Sequence, residues 1–333
     1  MIRLLDISRR ILHLSTKITI TNIQEFTMFI QALKFQTAGT LGVMQFGTSD
    51  QNTFRYSPVD IGIKKGTVQV KETSDAGSVN SLIVLNTSDY YVFLMDGDIL
   101  AGAKQNRIIN TSVLLAPQSK TIIPVSCVEA GRWRAVSSQF SSTDHTAPSN
   151  MRKMKSENVS HSIRESRGFD ANQGAIWNSV SEYSKKYSVE SPTSNYSDVY
   201  EAGKKGFDQG LEKIVVDPNA NGVIFFIDKT IINVDIFGSK RVYSHYFPKL
   251  LRGVSMEIFG RKSAKEQLTE AQAKYDMVEF LDGWDALKKE RNPGVGLGTE
   301  HRVMNEKFSG MDLEYNEQKI HTSIFNAATI KQS

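Results

Sequence analysis

Between Thr67 and Phe140 the chain strings together short runs rich in β-branched and aromatic residues, spaced as hairpins are. TVQVKE alternates apolar and polar positions, and VNSLIVLN stops at Asn86-Thr87-Ser88-Asp89. YYVFLMDGD ends in an Asp-Gly turn signal, RIINTSVLLAP is closed by Pro117, and KTIIPVSCV is dense in β-branched residues. Strands of this kind carry one apolar face, which a sheet can bury only against a second layer. A β-sandwich or barrel core is therefore expected.

The pattern changes after His145. Met151, Met154, Val159 and Ile163 fall at helical spacing, and a second helical stretch runs from about Asp170 to Tyr187 with Ile176, Trp177 and Val180 on one side. A Ser-rich connector around Pro192 leads to a third helix, capped by Asp198 and ended by Asp217-Pro218-Asn219. NGVIFFIDKTIINVDIF reads as a hairpin across Asp228-Lys229, HYFPKLLRGVSMEIFG resumes a helical period, and LTEAQAKYDMVEFLDGWDALKKE continues as a charged helix. The closing strands, on either side of Ser309-Gly310, are expected to return to an earlier sheet. The fold class is α+β: a sandwich or barrel core with a packed helical block. Its parts are an N-terminal amphipathic segment (1–17), a β-rich unit (18–260) with a helical insert at about 146–217, an extra helix (261–292) and a C-terminal hairpin (293–333).

Composition narrows the function classes. The 333 residues carry 40 Lys+Arg against 36 Asp+Glu, a surplus of +4 that gives no footing for nucleic-acid binding. The single cysteine, Cys127, can form neither an internal disulfide nor a Cys-rich metal site. The six histidines include no H-E-x-x-H and no close pair, so no metal site is expected. No apolar run approaches the roughly 20 residues needed to span a bilayer, and Arg3, Asp6, Arg9 and Arg10 interrupt any signal-peptide core. A cytoplasmic location is the expectation. The stripe Leu4, Ile7, Ile11 and Leu14 suits packing on the chain's own core, a partner or lipid. No sequence feature names a cofactor.

The densest chemistry lies between Asp96 and Trp133. Lys104-Gln105-Asn106-Arg107 with Asn110, and Cys127-Val128-Glu129 with Gly131-Arg132-Trp133, flank one hydrophobic hairpin and could meet at its end. There Arg107 and Arg132 would offer planar forks for phosphate or carboxylate, Gln105 and Asn110 paired donors and acceptors, and Trp133 a stacking face. Gln173 and Trp177, one helical turn apart, could face the same wall. Such a set suits a flat, anionic ligand.

The strings GAKQNRIIN and IPVSCVEAGRW, with VKETSDAGSVNSLIVLN upstream and NQGAIW downstream, resemble the ARG and rhodanese-phosphatase-superfamily-associated protein domain. The resemblance extends more loosely over Ile18 to Phe259 and resumes at HTSIF, whereas Arg261 to Arg291 looks like an insertion or a lineage-specific helix. That family, largely bacterial and archaeal, has no established activity. Its name records gene neighbourhoods with ADP-ribosylglycohydrolases and rhodanese or phosphatase proteins, which implies by association a place in NAD or ADP-ribose metabolism. Its typical pattern matches Gly102, Gln105, Arg107, Asn110, Pro124, Cys127, Glu129, Gly131, Arg132, Trp133, Gln173 and Trp177 here. Asp98 departs from it, standing where a Glu commonly follows the Asp-Gly pair.

Each feature also has a plainer role. Cys127 is a nucleophile if Arg132, His145 or His321 lowers its pKa, and a buried strand thiol otherwise. Glu129 and Asp98 could act as general acid and base or, with Asp96, hold a cation; paired with Arg107 and Arg132 they would instead fix strand ends. Trp133 and Trp177 could stack on a ring or fill the core. The Lys/Arg run from Arg152 to Arg167 reads as a solvated helix face, and Gly294 to Gly298 as a flexible connector. Two functions follow. One is binding or processing of a nucleotide-like anion, an ADP-ribose or NAD derivative. The other is a non-enzymatic assembly module, whose helical block meets a homo-oligomer or partner protein while the polar residues act structurally.

Overall fold

The computed structural model describes residues 30–49, 53–74, 78–261 and 266–328; the expected amphipathic segment 1–17 lies outside them. The chain opens with β1 (Ile30–Ala38), β2 (Leu41–Thr48), β3 (Tyr56–Pro58) and the short α1 (Val59–Lys64). It continues with β4 (Val68–Glu72), β5 (Ser81–Asn86), β6 (Tyr91–Leu94), β7 (Asp98–Gly102), β8 (Arg107–Ile109), β9 (Val113–Leu115), β10 (Ser119–Cys127) and β11 (Phe140–Thr146). Three helices follow: α2 (Ser149–Arg164), α3 (Gln173–Tyr187) and α4 (Tyr196–Leu211). Then come β12 (Gly222–Ile227), β13 (Thr230–Phe237), α5 (Lys240–Ile258) and α6 (Glu270–Asp285). The described chain closes with β14 (Glu290–Pro293), β15 (Thr299–Met304), β16 (Phe308–Tyr315) and β17 (Gln318–Asn326).

The architecture is α+β with a sheet-rich core. An antiparallel sheet of eight strands runs β1-β2-β12-β13-β17-β16-β15-β14, a second of six runs β11-β7-β8-β10-β5-β4, and β3-β6-β9 form a third. The late strands do return to earlier ones, but to β1 and β2, through the β2–β12 and β13–β17 pairings, and the runs between Thr67 and Phe140 build their own sheets. Both faces of the large sheet are covered, which explains the unbroken apolar run Gly222–Ile227. Val223, Phe225 and Ile227 enter one core cluster with Tyr243, Tyr246 and Phe247 of α5. Ile224 and Phe226 alternate into another, beneath Met277, Phe280, Leu281 and Trp284 of α6.

Turn chemistry accounts for the main local departures. The β12–β13 hairpin does turn at Asp228-Lys229, where Asp228 takes a positive φ of 56°. Ser309-Gly310, by contrast, sits inside β16, and the chain reverses at Asn316-Glu317, both in left-handed conformation. Gly310 is a close-approach glycine: a Cβ there would lie 2.2 Å from the Ser323 carbonyl oxygen. Gly294 to Gly298 is a docked hairpin loop between β14 and β15, in which the Leu297 amide donates to the Leu114 carbonyl at 2.8 Å. No helix among the described residues is long and apolar enough to cross a membrane.

Candidate functional site

Pairing of β8 with β10 sets Cys127 directly opposite Arg107. The Arg107 guanidinium is fully buried, and its Nη1 donates to Gln105 Oε1 at 3.0 Å and touches Cys127 Sγ. Its Nη2 donates to the Ser78 carbonyl at 3.1 Å and lies 3.6 Å from Glu72 Oε1. The Cys127 thiol donates to Gln105 Oε1 at 2.9 Å, and Gln105 Nε2 reaches the Ala130 carbonyl at 3.4 Å. Burial pushes the thiol up to about 11 against the opposing pull of Arg107, so at neutral pH it keeps its proton.

Glu129 is held by a fork. Arg132 Nε donates to Oε1 at 2.8 Å and Nη2 to Oε2 at 2.6 Å, while the Asn106 amide (3.1 Å) and Thr193 hydroxyl (2.9 Å) supply further donors. Burial alone would raise this carboxyl, but these donors outweigh it and leave Glu129 below the ordinary glutamate range. Arg132 Nη1 turns back to the Ala103 carbonyl at 2.6 Å. The two polar stretches thus meet: Cys127 touches Gln105 and Arg107, the Asn106 amide donates to Glu129 while its carbonyl accepts from the Val128 amide, and the Gln105–Ala130 and Arg132–Ala103 bonds close the join.

The aromatic side chains remain open. Trp133 is 47% exposed and Trp177 40%, whereas Trp284 is buried at 1%. Lys104 Nζ lies 5.4 Å and Arg107 Cζ 5.7 Å from the Trp133 ring centroid, both within cation–π range. Gln173 clasps the Cys127 main chain and so anchors the start of α3. One turn on, Trp177 forms the wall of a groove of about 400 Å³ with four serines, Ala130, Val189 and one carboxylate, Glu190.

Residues 29–325 match the ARG and Rhodanese-Phosphatase-superfamily-associated Protein domain. The chain belongs to this family. No curated protein and no solved structure is similar to it. The match spans residues 261–291 as well.

Of the residues carrying the family pattern, Gln105, Arg107, Cys127, Glu129, Arg132, Trp133, Gln173 and Trp177 gather at this one end. Asn110 instead bonds the Phe169 carbonyl at 2.9 Å and accepts from the Ser126 hydroxyl at 3.0 Å. Asp98 is paired with Lys249 and accepts from Ser142 at 3.4 Å, sharing no partner with Glu129. Burial there outweighs Lys249 and raises Asp98 above the usual aspartate range. Among the described residues no three His, Cys, Asp or Glu side chains gather to hold a metal ion.

A second polar constellation escaped the reading of sequence pattern. Arg152 and Lys155, expected on a solvated helix face, are fully buried beneath α2, Arg152 against the large sheet and Lys155 against the residues that flank β7 and β8. Arg152 forks onto Asp235 at 2.6 and 3.0 Å, and Lys155 pairs with Asp96 and donates to the Asn110 carbonyl at 2.8 Å. His321 Nδ1 meets the Ser112 hydroxyl at 2.8 Å, and its Nε2 lies 3.4 Å from Asp235. Arg302 pairs with Glu300 at 2.7 Å. The spacing Arg152, Lys155 was the available signal, because it places both cations on one helix face with Met151 and Val159.

Proposed function

We propose that this family member binds a flat, anionic, nucleotide-like small molecule of the ADP-ribose type on the face bearing Trp133 and Trp177. The observation that carries the reading is the pair of exposed indoles at the end where the family pattern converges, one of them beside the ammonium group of Lys104. An indole face stacks on a nucleobase, and an ammonium attracts phosphate. The hydroxyls of Ser181 and Ser194 suit the polyol of a ribose, whereas those of Ser184 and Ser191 already donate to the Val180 carbonyl and to Asp198. In this reading Arg107, Gln105, Glu129 and Arg132 are the rigid backing, since each already donates to or accepts from protein atoms. Binding without turnover is favoured, because Cys127 stays protonated and Glu129 is held by Arg132.

A second reading, in which these polar residues only brace the fold, is favoured by the protein partners that Arg107 and Glu129 already hold. Fluorescence separates the two. With Trp284 buried, titration with ADP-ribose is expected to quench the emission of Trp133 and Trp177, and Trp177→Phe to remove much of the response without lowering the melting temperature. Unchanged emission at millimolar ADP-ribose, together with no small molecule released from natively purified protein in mass spectrometry, leaves the bracing role alone.

A further inference from the structure

Helix α3 has two working faces. Trp177, Ser181 and Ser184 look into the groove described above, while Ala175, Asn178, Ser179, Glu182 and Lys186 fall on the opposite side of the same helix. That second side lines a cleft of about 710 Å³, closed by Asn150, Lys153 and Met154 of α2 and by Glu257 near the end of α5. A volume of this size lies within the range of small-molecule pockets.

Its floor is built and satisfied. Glu257 accepts from the Asn150 amide at 2.8 Å, from Asn150 Nδ2 at 2.8 Å and from the buried Tyr183 hydroxyl at 2.7 Å, so both its oxygens are occupied. The rim is cationic. Lys153, Lys185 and Lys186 line it with two carboxylates, the open Glu182 and the hydrogen-bonded Glu257, so three positive charges stand against two negative ones. Two of the ammonium groups are steadied by carbonyls at the edge, Lys153 on Ala327 at 2.9 Å and Lys186 on Met256 at 3.1 Å, each with further donor capacity. Lys186 also lies 5.9 and 5.6 Å from the rings of Tyr183 and Tyr187.

We propose that this cleft between α2, α3 and α5 is a binding site for a small organic polyanion carrying phosphate or carboxylate groups. The lysines supply the counter-charge, while Asn178 and Ser179 supply neutral hydrogen-bonding groups for the body of the ligand. The site does not depend on the ring-stacking reading, because Trp177 faces the other way.

Calorimetric titration of the full chain with pyrophosphate and, separately, with citrate tests the proposal. Binding of at least one is expected, weakened about tenfold or more by the exposed double variant Lys185→Ala/Lys186→Ala, which corresponds to about 1.4 kcal/mol, and left unchanged by Trp177→Phe. Binding of only pyrophosphate assigns a phosphate ester, and of only citrate a carboxylate; either supports the site. Charge reversal at Lys185 alone, Lys185→Glu, which leaves the contact of Lys186 to Met256 in place, is expected to weaken the binding as well while the melting temperature holds. Binding that ignores the lysine variants, or no heat with either anion at millimolar concentration, overturns the proposal. So does binding of an oligoglutamate peptide in the absence of both small anions, which would make the cleft a protein-docking surface.

Discussion

The side-chain amide of Gln173 acts as one more strand partner for Cys127, with Oε1 accepting from the Cys127 amide at 2.7 Å and Nε2 donating to its carbonyl at 2.8 Å. Strand β10 needs such a partner. Its first residues pair with β5 up to Pro124, its last three with β8, and beyond Pro124 the β5 edge is gone. Removing the amide in Gln173→Ala strips both main-chain groups of their partner. A loss of about 1–3 kcal/mol is expected in urea unfolding. Because the clasp also sets the entry of α3, the emission of exposed Trp177 is expected to shift in the same variant. Unaltered stability and spectrum would mean that the clasp carries no load.

The thiol beneath that clasp is predicted to be inert. With Cys127 pushed up to about 11, only roughly one molecule in a thousand carries a thiolate at pH 8, against about a quarter for a free cysteine near 8.5. Burial adds a steric block. Stoichiometric labelling by a disulfide reagent is expected in denaturant and only a slow trace in the native protein. Fast native labelling would put Cys127 back among the candidate nucleophiles.

Strand runs, helices and the meeting of two polar stretches were legible because periodicity and turn residues are local signals. Residues 102–110 and 123–133 flank a hairpin, so their convergence follows from one short connection. What lay hidden depends on contacts distant in sequence. Nothing near Arg152 announces Asp235, 83 positions later, as its partner, and in a run of Lys and Arg broken by Glu157 and Glu165, of which Arg164 and Arg167 do face solvent, only the spacing shared with Met151 and Val159 sets Arg152 and Lys155 apart as the buried pair. The exposure of Trp133 and Trp177 was equally invisible, since an indole looks the same in sequence whether it is core or surface. Gly310 misled for the converse reason: a glycine required by close strand packing carries the same letter as one required by a turn.

The hidden ion pair gives the largest expected stability effect. Arg152→Met leaves Asp235 buried against only Asn233 and His321, and breaking a buried pair in this way costs about 3–5 kcal/mol. Arg152→Met/Asp235→Asn removes both charges and is expected to recover part of that loss. Chemical denaturation of the wild type, the single variant and the double variant checks the coupling; additive losses would show that the two groups act independently.

Acid sensitivity follows from the same burial. Asp235, Asp312 and Glu129 are pushed upward by desolvation, but their partners outweigh it and hold each below its ordinary value: Arg152 and His321 for Asp235, Lys289 for Asp312, Arg132 for Glu129. A carboxylate with a lowered folded pKa contributes fully above the unfolded value, near 4, and loses that contribution as pH falls through the folded one. Asp98, raised by burial, works in the opposite sense and favours the folded state on the acid side. Among the described carboxyl groups, those held below their ordinary value, which include Asp60, Asp144, Glu266 and Glu290 besides these three, outnumber those that burial raises, Asp98 and Glu157, so stability is expected to fall as pH drops below about 4.5. Glu129→Gln should flatten that fall. A curve level from pH 6 to 3 would contradict the assignment.

Two glycines on either side of the clasp separate crowding from helix propensity. At Gly131 a Cβ would lie 2.9 Å from Thr193 Cα and 3.3 Å from its carbonyl, and these are backbone atoms that cannot step aside. The same glycine donates its amide to Thr193 at 2.8 Å, so Gly131→Ala pushes apart the turn and the connector that bring Thr193 to Glu129. A loss of about 1–3 kcal/mol is expected, as for other overpacked sites. At Gly174, in the first turn of α3, the added methyl meets only Asn172 Oδ1 at an ordinary 3.5 Å. Gly174→Ala is therefore expected to be neutral or to stabilise by up to about 1 kcal/mol through helix propensity. If both variants unfold alike, the turn at 129–133 is not packed against residues 191–195 as closely as its hydrogen bonds require, and the rigid backing of the Trp133 face is lost with it.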